Sequence, residues 1–417
     1  MIEYRIWHDN ESFANYIIEN TDLTNEKIIL SYLYKSDASD SKKFHSVPDH
    51  IKQILYLDAP DLIVEKNNEP LFSIEISTEA GTGHNVFQRF ARLAASVEND
   101  VPTFYIYPEA KLIGRKIKGK TAKKVGWDKL NRLIFYALER VMQIYEIPAL
   151  FYYYPSTFRK FEKTPELAPF LPLQGLLNDS NPAYLSCPDS KDVEMSNLFS
   201  VINDFLKCYT KNGIIDGRKK LKNIPSVSKR RMYMSSEFYN KNGKLNSSPN
   251  TQTVTIPTEY LLNHLSKYNT KNYNIGGLLR SRKETVIYFT DSKFRGDPYP
   301  GAFSAVDFLQ CRTDKTFEDR DKNLVLVVGK LDIDELKKTI SVSSNKSSIE
   351  LFINDVQACT KKDILSKDYT DLKNDEIPRY YMQVRYGTTF SKSKHIRVYS
   401  YFADCIIFKD GALWRDG

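Results

Sequence analysis

Cysteine is scarce in this chain and follows no pattern. The 417 residues hold five, at positions 187, 208, 311, 359 and 405. They are odd in number and widely scattered, without a CxxC or a Cys/His spacing. Neither a disulfide scaffold nor a zinc site is expected, and the thiols read as reduced, small hydrophobes. Long apolar runs are missing too. No stretch of about 18 uncharged apolar residues occurs, and Met1-Ile2-Glu3-Tyr4-Arg5 does not resemble a signal peptide, so a cytoplasmic protein without a membrane span is expected. There is no GxGxxG fingerprint, no GxSxG elbow, and no Cys beside an evident His partner. A dinucleotide site, a GxxxxGK[ST] nucleotide loop, a serine-hydrolase site and ATP dependence within the chain are not expected.

The chain does have enough apolar material for a large interior. At 41% hydrophobic over 417 residues, two or three domains are expected. The net charge of +8 is modest, but its distribution is uneven. Between Lys111 and Lys124 stand seven Lys/Arg and no acid, including Arg115, Lys116, Lys118 and Lys120. This run is read as a loop. A second block, Lys211 to Lys244, holds ten Lys/Arg against two acids and includes Arg218, Lys219, Lys220, Arg230 and Arg231, with Tyr233, Phe238 and Tyr239 interleaved. Such blocks would neutralise phosphates and offer stacking surfaces to bases; solvated surface in a Lys-rich chain is the plainer alternative. Arg280 and Arg282 are further candidate phosphate contacts.

The most informative stretch runs from Pro60 to Ser77. Two apolar runs, Leu62 to Val64 and Leu71 to Ile76, flank a turn at Lys66-Asn67-Asn68-Glu69-Pro70, which reads as a β-hairpin. Asp61 opens the first strand and Glu75 lies well along the second. Two carboxylates converging on a strand pair, with no Cys or His nearby, suit a hard divalent cation such as Mg²⁺. Metal-held water of this kind attacks phosphate in many nucleases.

This stretch resembles the core of the PD-(D/E)xK nuclease superfamily, which includes most Type II restriction endonucleases. Pro60-Asp61 matches the first half of that family's pattern and Glu75-Ile76-Ser77 the second, except that Ser77 stands where the family usually has Lys. The organisation around the motif agrees with the resemblance. A helix is expected over His84 to Glu98, a strand over Val101 to Tyr107, a second helix over Asp128 to Glu146 and a strand over Ala149 to Tyr154. The fold implied is α/β, a restriction-endonuclease-like core of a mixed sheet flanked by helices, over residues 1–155. A helical, basic connecting region is expected at 156–255, most linker-like from Asn246 to Thr253, and a C-terminal α+β domain that reads or grips DNA at 256–417.

What the resemblance implies is a metal-dependent DNA endonuclease of the restriction or phage-defence type. Asp61, Glu75 and the main-chain carbonyl of Ile76 would hold Mg²⁺, with Mn²⁺ able to substitute. With Ser77 in the Lys position, Gln88 on the following helix would orient the water, with Arg89 the other candidate there. Glu11, Glu19, Glu79 and His84 are weaker candidates, and Asp297 with Asp307 a weaker second metal pair. Double-stranded DNA, a second copy of the chain and a cognate methyltransferase or other defence protein are the implied partners. The alternative is a non-catalytic nucleic-acid-binding protein on a degenerate nuclease fold, with Ser77 marking the loss. An RNA-directed or exonucleolytic member would share the chemistry and differ in substrate.

Overall fold

The computed structural model describes residues 3–33, 47–55, 59–77, 92–93, 95–108, 111–116, 123–128, 130–131, 145–154, 163, 181–184, 187–224, 234–235, 251–268, 277–290, 322–345, 356–358, 382–384, 387–391 and 403–414. The chain divides into two units. The first takes residues 1–33, 60–82 and 96–236, and the second takes 34–59, 83–95 and 237–417.

The first unit is built on a six-stranded sheet of β1 (Tyr4–His8), β2 (Ile28–Tyr32), β3 (Leu62–Lys66), β4 (Glu69–Ile76), β5 (Thr103–Pro108) and β9 (Ala149–Tyr154), in the order β2-β1-β3-β4-β5-β9. β1 runs parallel to β2 and antiparallel to β3, β3 and β4 are antiparallel, and β4, β5 and β9 are parallel. The sheet is therefore mixed, as expected. Between β5 and β9 lies a separate two-stranded ribbon of β6 (Lys111–Lys116) and β7 (Lys123–Asp128), followed by the short β8 (Leu130–Asn131), which pairs with β10 (Met234–Ser235).

One face of the sheet carries the core. Tyr4 and Ile6 of β1, Leu62 and Val64 of β3, Phe72 and Ile74 of β4 and Phe104 and Ile106 of β5 alternate onto that face, as the strand period of two requires. Helix α1 (Glu11–Glu19) covers it with Phe13, Tyr16 and Ile17, and α2 (Val193–Asn212) with Met195, Leu198, Ile202 and Phe205. These fall at three- and four-residue steps, the spacing of one helix face. Each fully buried Leu, Ile or Phe contributes about 1.5–3 kcal/mol. Asn10 caps α1 by accepting the Phe13 N–H, and Asp192 caps α2 by accepting the Glu194 N–H, as N-cap residues do. α3 (Ile214–Lys222) folds back along α2 at Gly217, where a Cβ would sit 2.9 Å from the Phe205 ring. At the turn end of the hairpin, the Lys66 ammonium donates to the Tyr4 hydroxyl (2.9 Å) and lies 5.5 Å from the Tyr209 ring of α2. Burial, then the Glu69 charge, pushes the Tyr209 phenol up to about 12.

The second unit has its own mixed sheet of β11 (Thr251–Pro257), β12 (Glu284–Thr290), β13 (Lys322–Val328), β19 (Cys405–Phe408) and β20 (Gly411–Trp414), in that order. Its core joins Ile287, Val325, Val327 and Ile407 to Leu261 and Leu265 of α4 (Thr258–Leu265). Smaller pieces are the hairpin of β14 (Lys330–Asp334) and β15 (Thr339–Ser343) and a three-stranded sheet of β16 (Val356–Ala358), β17 (Met382–Val384) and β18 (Gly387–Ser391).

Several expectations need correction. The Lys111 to Lys124 run is a β-ribbon rather than a loop. Asp128 ends a strand and Leu130–Asn131 form another, so the helix expected from Asp128 does not begin there. Trp127 and Val125 alternate with charged and small residues in the strand period, and pairing across the ribbon outweighs the helical spacing further on. Thr251 to Thr253 are strand rather than linker, paired with Tyr288 to Thr290. The stretch expected as a connecting region supplies α2 and α3, which complete the core of the first unit.

Candidate active site

The β3–β4 hairpin places the two motif carboxylates. Its turn is tighter than the sequence suggests. Asn67 and Asn68 alone make it, both with positive φ (54° and 65°), the signature of the two-residue hairpin turn that Asn tolerates best after Gly. Pro70 lies inside β4, where the register shifts between Val64 and Glu65; such an irregularity accommodates a residue with no N–H to give. Beyond the shift the ladder pairs Val64 with Phe72, Ile63 with Ser73 and Leu62 with Ile74. One more step sets Asp61 opposite Glu75.

The contacts at this end of the sheet agree with that register. The Asp61 Oδ2 accepts the Ile76 N–H at 2.7 Å, and its main-chain carbonyl accepts the Asp9 N–H at 3.2 Å. Asp61 is half-buried and Glu75 completely buried. On β4, Ser73 and Glu75 share the face opposite the Phe72–Ile74 core, and Ser77 follows the strand. The Ser73 hydroxyl lies 2.9 Å from that of Ser96 and 3.0 Å from that of Thr103, and Tyr105 stands across from Glu75. Burying a carboxylate costs several kcal/mol unless a cation or hydrogen bonds offset it. Asp9 was not singled out from the sequence. It follows β1 directly, and its N–H on the Asp61 carbonyl sets its backbone beside that of Asp61. No sequence motif flags it, since only the strand pairing brings it there.

Ser77 is fully buried and its backbone is held at both ends. Its N–H donates to the Ile106 carbonyl (2.8 Å), and its carbonyl accepts the Tyr154 hydroxyl (2.9 Å). A serine hydroxyl so placed can orient a neighbour but cannot supply the charge of the Lys it replaces. Glu11 opens α1 close enough to His8 to favour its charged form, against burial, which is the larger effect and lowers the His8 pKa. Glu19 is at the far end of α1, about 12 Å away.

The sequence-expected phosphate contacts divide. Arg115 and Lys116 are in β6. Lys219 and Lys220 are exposed on α3 but paired, with Asp216 at 3.1 Å and Asp204 at 3.9 Å. Arg218 is half-buried. Burial lowers its pKa, and the charges of Asp100 and Glu69 act the other way. Arg280 is exposed. Arg282 is a correction. It is 4% exposed and pairs with the buried Asp404 at 3.4 Å while donating to Asn323 at 3.2 Å, so it holds the second unit together and does not face a phosphate. Gln88, Arg89, Lys118, Lys120, Arg230, Arg231, Glu79, His84, Asp297 and Asp307 lie outside the described residues.

The string Gly114-Arg115-Lys116-Ile117-Lys118-Gly119-Lys120-Thr121 spells the GxxxxGK[ST] pattern, against the expectation that no nucleotide loop is present. Its setting does not fit one. A phosphate loop leads from a strand into a helix N-terminus, whereas Gly114 lies within β6 opposite Val125, and β7 begins at Lys123.

Among the described residues no three His, Cys, Asp or Glu side chains gather closely enough to hold a metal ion. The donors at hand are the two carboxylates and the Ile76 carbonyl, all hard oxygens of the kind Mg²⁺ takes alongside water and substrate oxygens. No described helix is long and apolar enough to cross a membrane. No family model matches the chain, and no curated protein and no solved structure is similar to it.

Proposed function

We propose that the chain is a metal-dependent DNA endonuclease with a restriction-endonuclease-like core, its active site at the Asp61–Glu75 end of the β3–β4 hairpin. The observation that carries this reading is the register. The ladder ends with Leu62 opposite Ile74, the residues next to Asp61 and Glu75, and the Asp61 Oδ2 accepts the Ile76 N–H. The order of β3, β4, helical residues 95–98 and parallel β5 supports the core.

Asp61, Glu75 and the Ile76 carbonyl would hold Mg²⁺ or Mn²⁺. A bound metal lowers the pKa of a water and offsets charge on the attacked phosphate. The chain's own part is to hold these oxygens in place. The Ile76 N–H fixes the Asp61 Oδ2, and the Ser77–Ile106 and Ser77–Tyr154 bonds anchor the end of β4. Gln88 is the residue we assign to orienting the water. Cutting both strands calls for two sites, which a homodimer on DNA would supply; a methyltransferase or other defence protein is the matching partner.

A second reading is a nucleic-acid-binding protein on a degenerate nuclease fold, favoured by the buried Ser77 in place of the Lys. Cleavage of supercoiled and linear DNA with Mg²⁺ or Mn²⁺, by the wild type, Asp61→Ala and Glu75→Ala, separates the two. Discrete fragments lost in both variants support the endonuclease. Intact DNA with binding retained supports the second reading.

A further inference from the structure

The β6–β7 ribbon divides along its length. At its base the register pairs Lys111 with Asp128, Leu112 with Trp127, Ile113 with Gly126 and Gly114 with Val125. These register positions join Lys to Asp and apolar residues to apolar residues or Gly, pairings that stabilise a ribbon. At its tip Arg115 stands opposite Lys124 and Lys116 opposite Lys123. Like charges directly opposite destabilise a strand pair, and a lone two-stranded ribbon is marginal to begin with. From Arg115 to Lys124, six of ten residues are Lys or Arg and none is acidic. Among the described residues neither strand pairs with any other. A polyanion along the tip would offset that repulsion.

Its place in the fold indicates which polyanion. β6 begins at Lys111, just after β5 ends at Pro108. β5 is parallel to β4 and pairs Tyr105 with Glu75, so the ribbon leaves the sheet at the end that carries Asp61 and Glu75. Six residues a side give it a length of about 20 Å. The segment 111–128 has no Asn or Gln, the side chains that pair bidentately with adenine, and its charge is carried almost wholly by Lys, a point charge suited to phosphate.

We infer that this ribbon is a sequence-independent clamp on the phosphates of duplex DNA, which holds the duplex beside the Asp61–Glu75 pair and acts on affinity rather than on the chemical step. The inference rests on the nuclease reading for its substrate. The clamp has a salt signature of its own, since each phosphate neutralised contributes about 0.9 to the slope of log K against log salt.

The test is fluorescence anisotropy of a labelled duplex between about 50 and 200 mM salt, with the full chain carrying Asp61→Ala to keep the DNA intact. Adding R115A, K116A, K123A and K124A together should lower the slope by about 3 to 4. The pair K116Q and K123Q should lower it by about 2, and decides the matter if the fourfold variant does not fold. With Asp61 restored, the same pair should raise KM and leave kcat unchanged. An unchanged slope, or loss of kcat with KM unchanged, overturns the clamp. Duplex RNA bound as tightly as DNA overturns the choice of partner. If the slope falls as expected but the wild type cuts nothing, the nuclease reading fails and the clamp stands.

Discussion

Removing the carboxylate of Asp61 takes away an oxygen donor and also frees the Ile76 N–H it fixes. Asp61→Asn keeps an oxygen for that bond and removes only the charge. Both variants should cut DNA at least about 100-fold more slowly, the scale of losing one group that stabilises reacting charge, and Asn should melt closer to the wild type than Ala. Equal cleavage by Asn and wild type would count against a metal role for Asp61. A second prediction concerns His264 in α4, which is 3% exposed and donates from Nδ1 to the Ile340 carbonyl at 2.8 Å. Burial is the largest influence and lowers its pKa below 6.5; the Ile340 bond opposes this and Lys267 adds to it. The unfolded chain then binds a proton in a window where the native state does not. Stability from this group is full above about pH 6.5 and falls as the pH drops through the native value. Melting measured down to about pH 5.5 should show a steeper loss for wild type than for His264→Gln.

For the separate elements, Gly217 and the Asn67-Asn68 turn carry the sharpest expectations. A Cβ at Gly217 meets the Phe205 ring, so Gly217→Ala should cost about 1–3 kcal/mol by overpacking the α2–α3 contact, read from the urea midpoint. Replacing both turn asparagines by Ala forces two positive-φ positions onto a residue that resists them, about 1–2 kcal/mol each. The hairpin was legible because its apolar runs and its Asn pair act locally; β9 was legible for the same reason. The ribbon was not. Its charge and its glycines look like a loop until pairing partners are known, and the partner of each strand is set by the chain's return at Lys123. The motif acids were visible as a spelling. Asp9 and the burial of Arg282 were not, because strand register and an ion pair to the distant Asp404 place them.

As a whole, the molecule is not a string of consecutive domains. The chain passes between its two units five times, so boundaries read from composition do not separate them. A chain ending at Tyr154 keeps α1 but lacks α2 and α3, and uncovers the part of the sheet's apolar face on which they pack; it should be recovered insoluble, which a comparison of soluble yield with the full chain checks. In the second unit, Asp404 accepts the Leu324 N–H (2.8 Å) and pairs with Arg282, while Asn323 bonds to Thr258, Thr285 and the Leu279 carbonyl. Breaking one partner of a buried ion pair leaves a charge without its counterpart, so Asp404→Ala should cost about 3–5 kcal/mol in urea denaturation.

The late arrival of α2 has a consequence at the ribosome. The strands whose apolar face it covers are complete by Pro108, apart from β9, but Phe205 and Leu221 are added only after about a hundred further residues. At usual elongation rates that is an interval on the order of ten seconds. Through it the nascent sheet presents Phe72, Ile74 and Phe104 to whatever is near, so the growing chain should depend on a holding chaperone in proportion to how slowly that interval is translated.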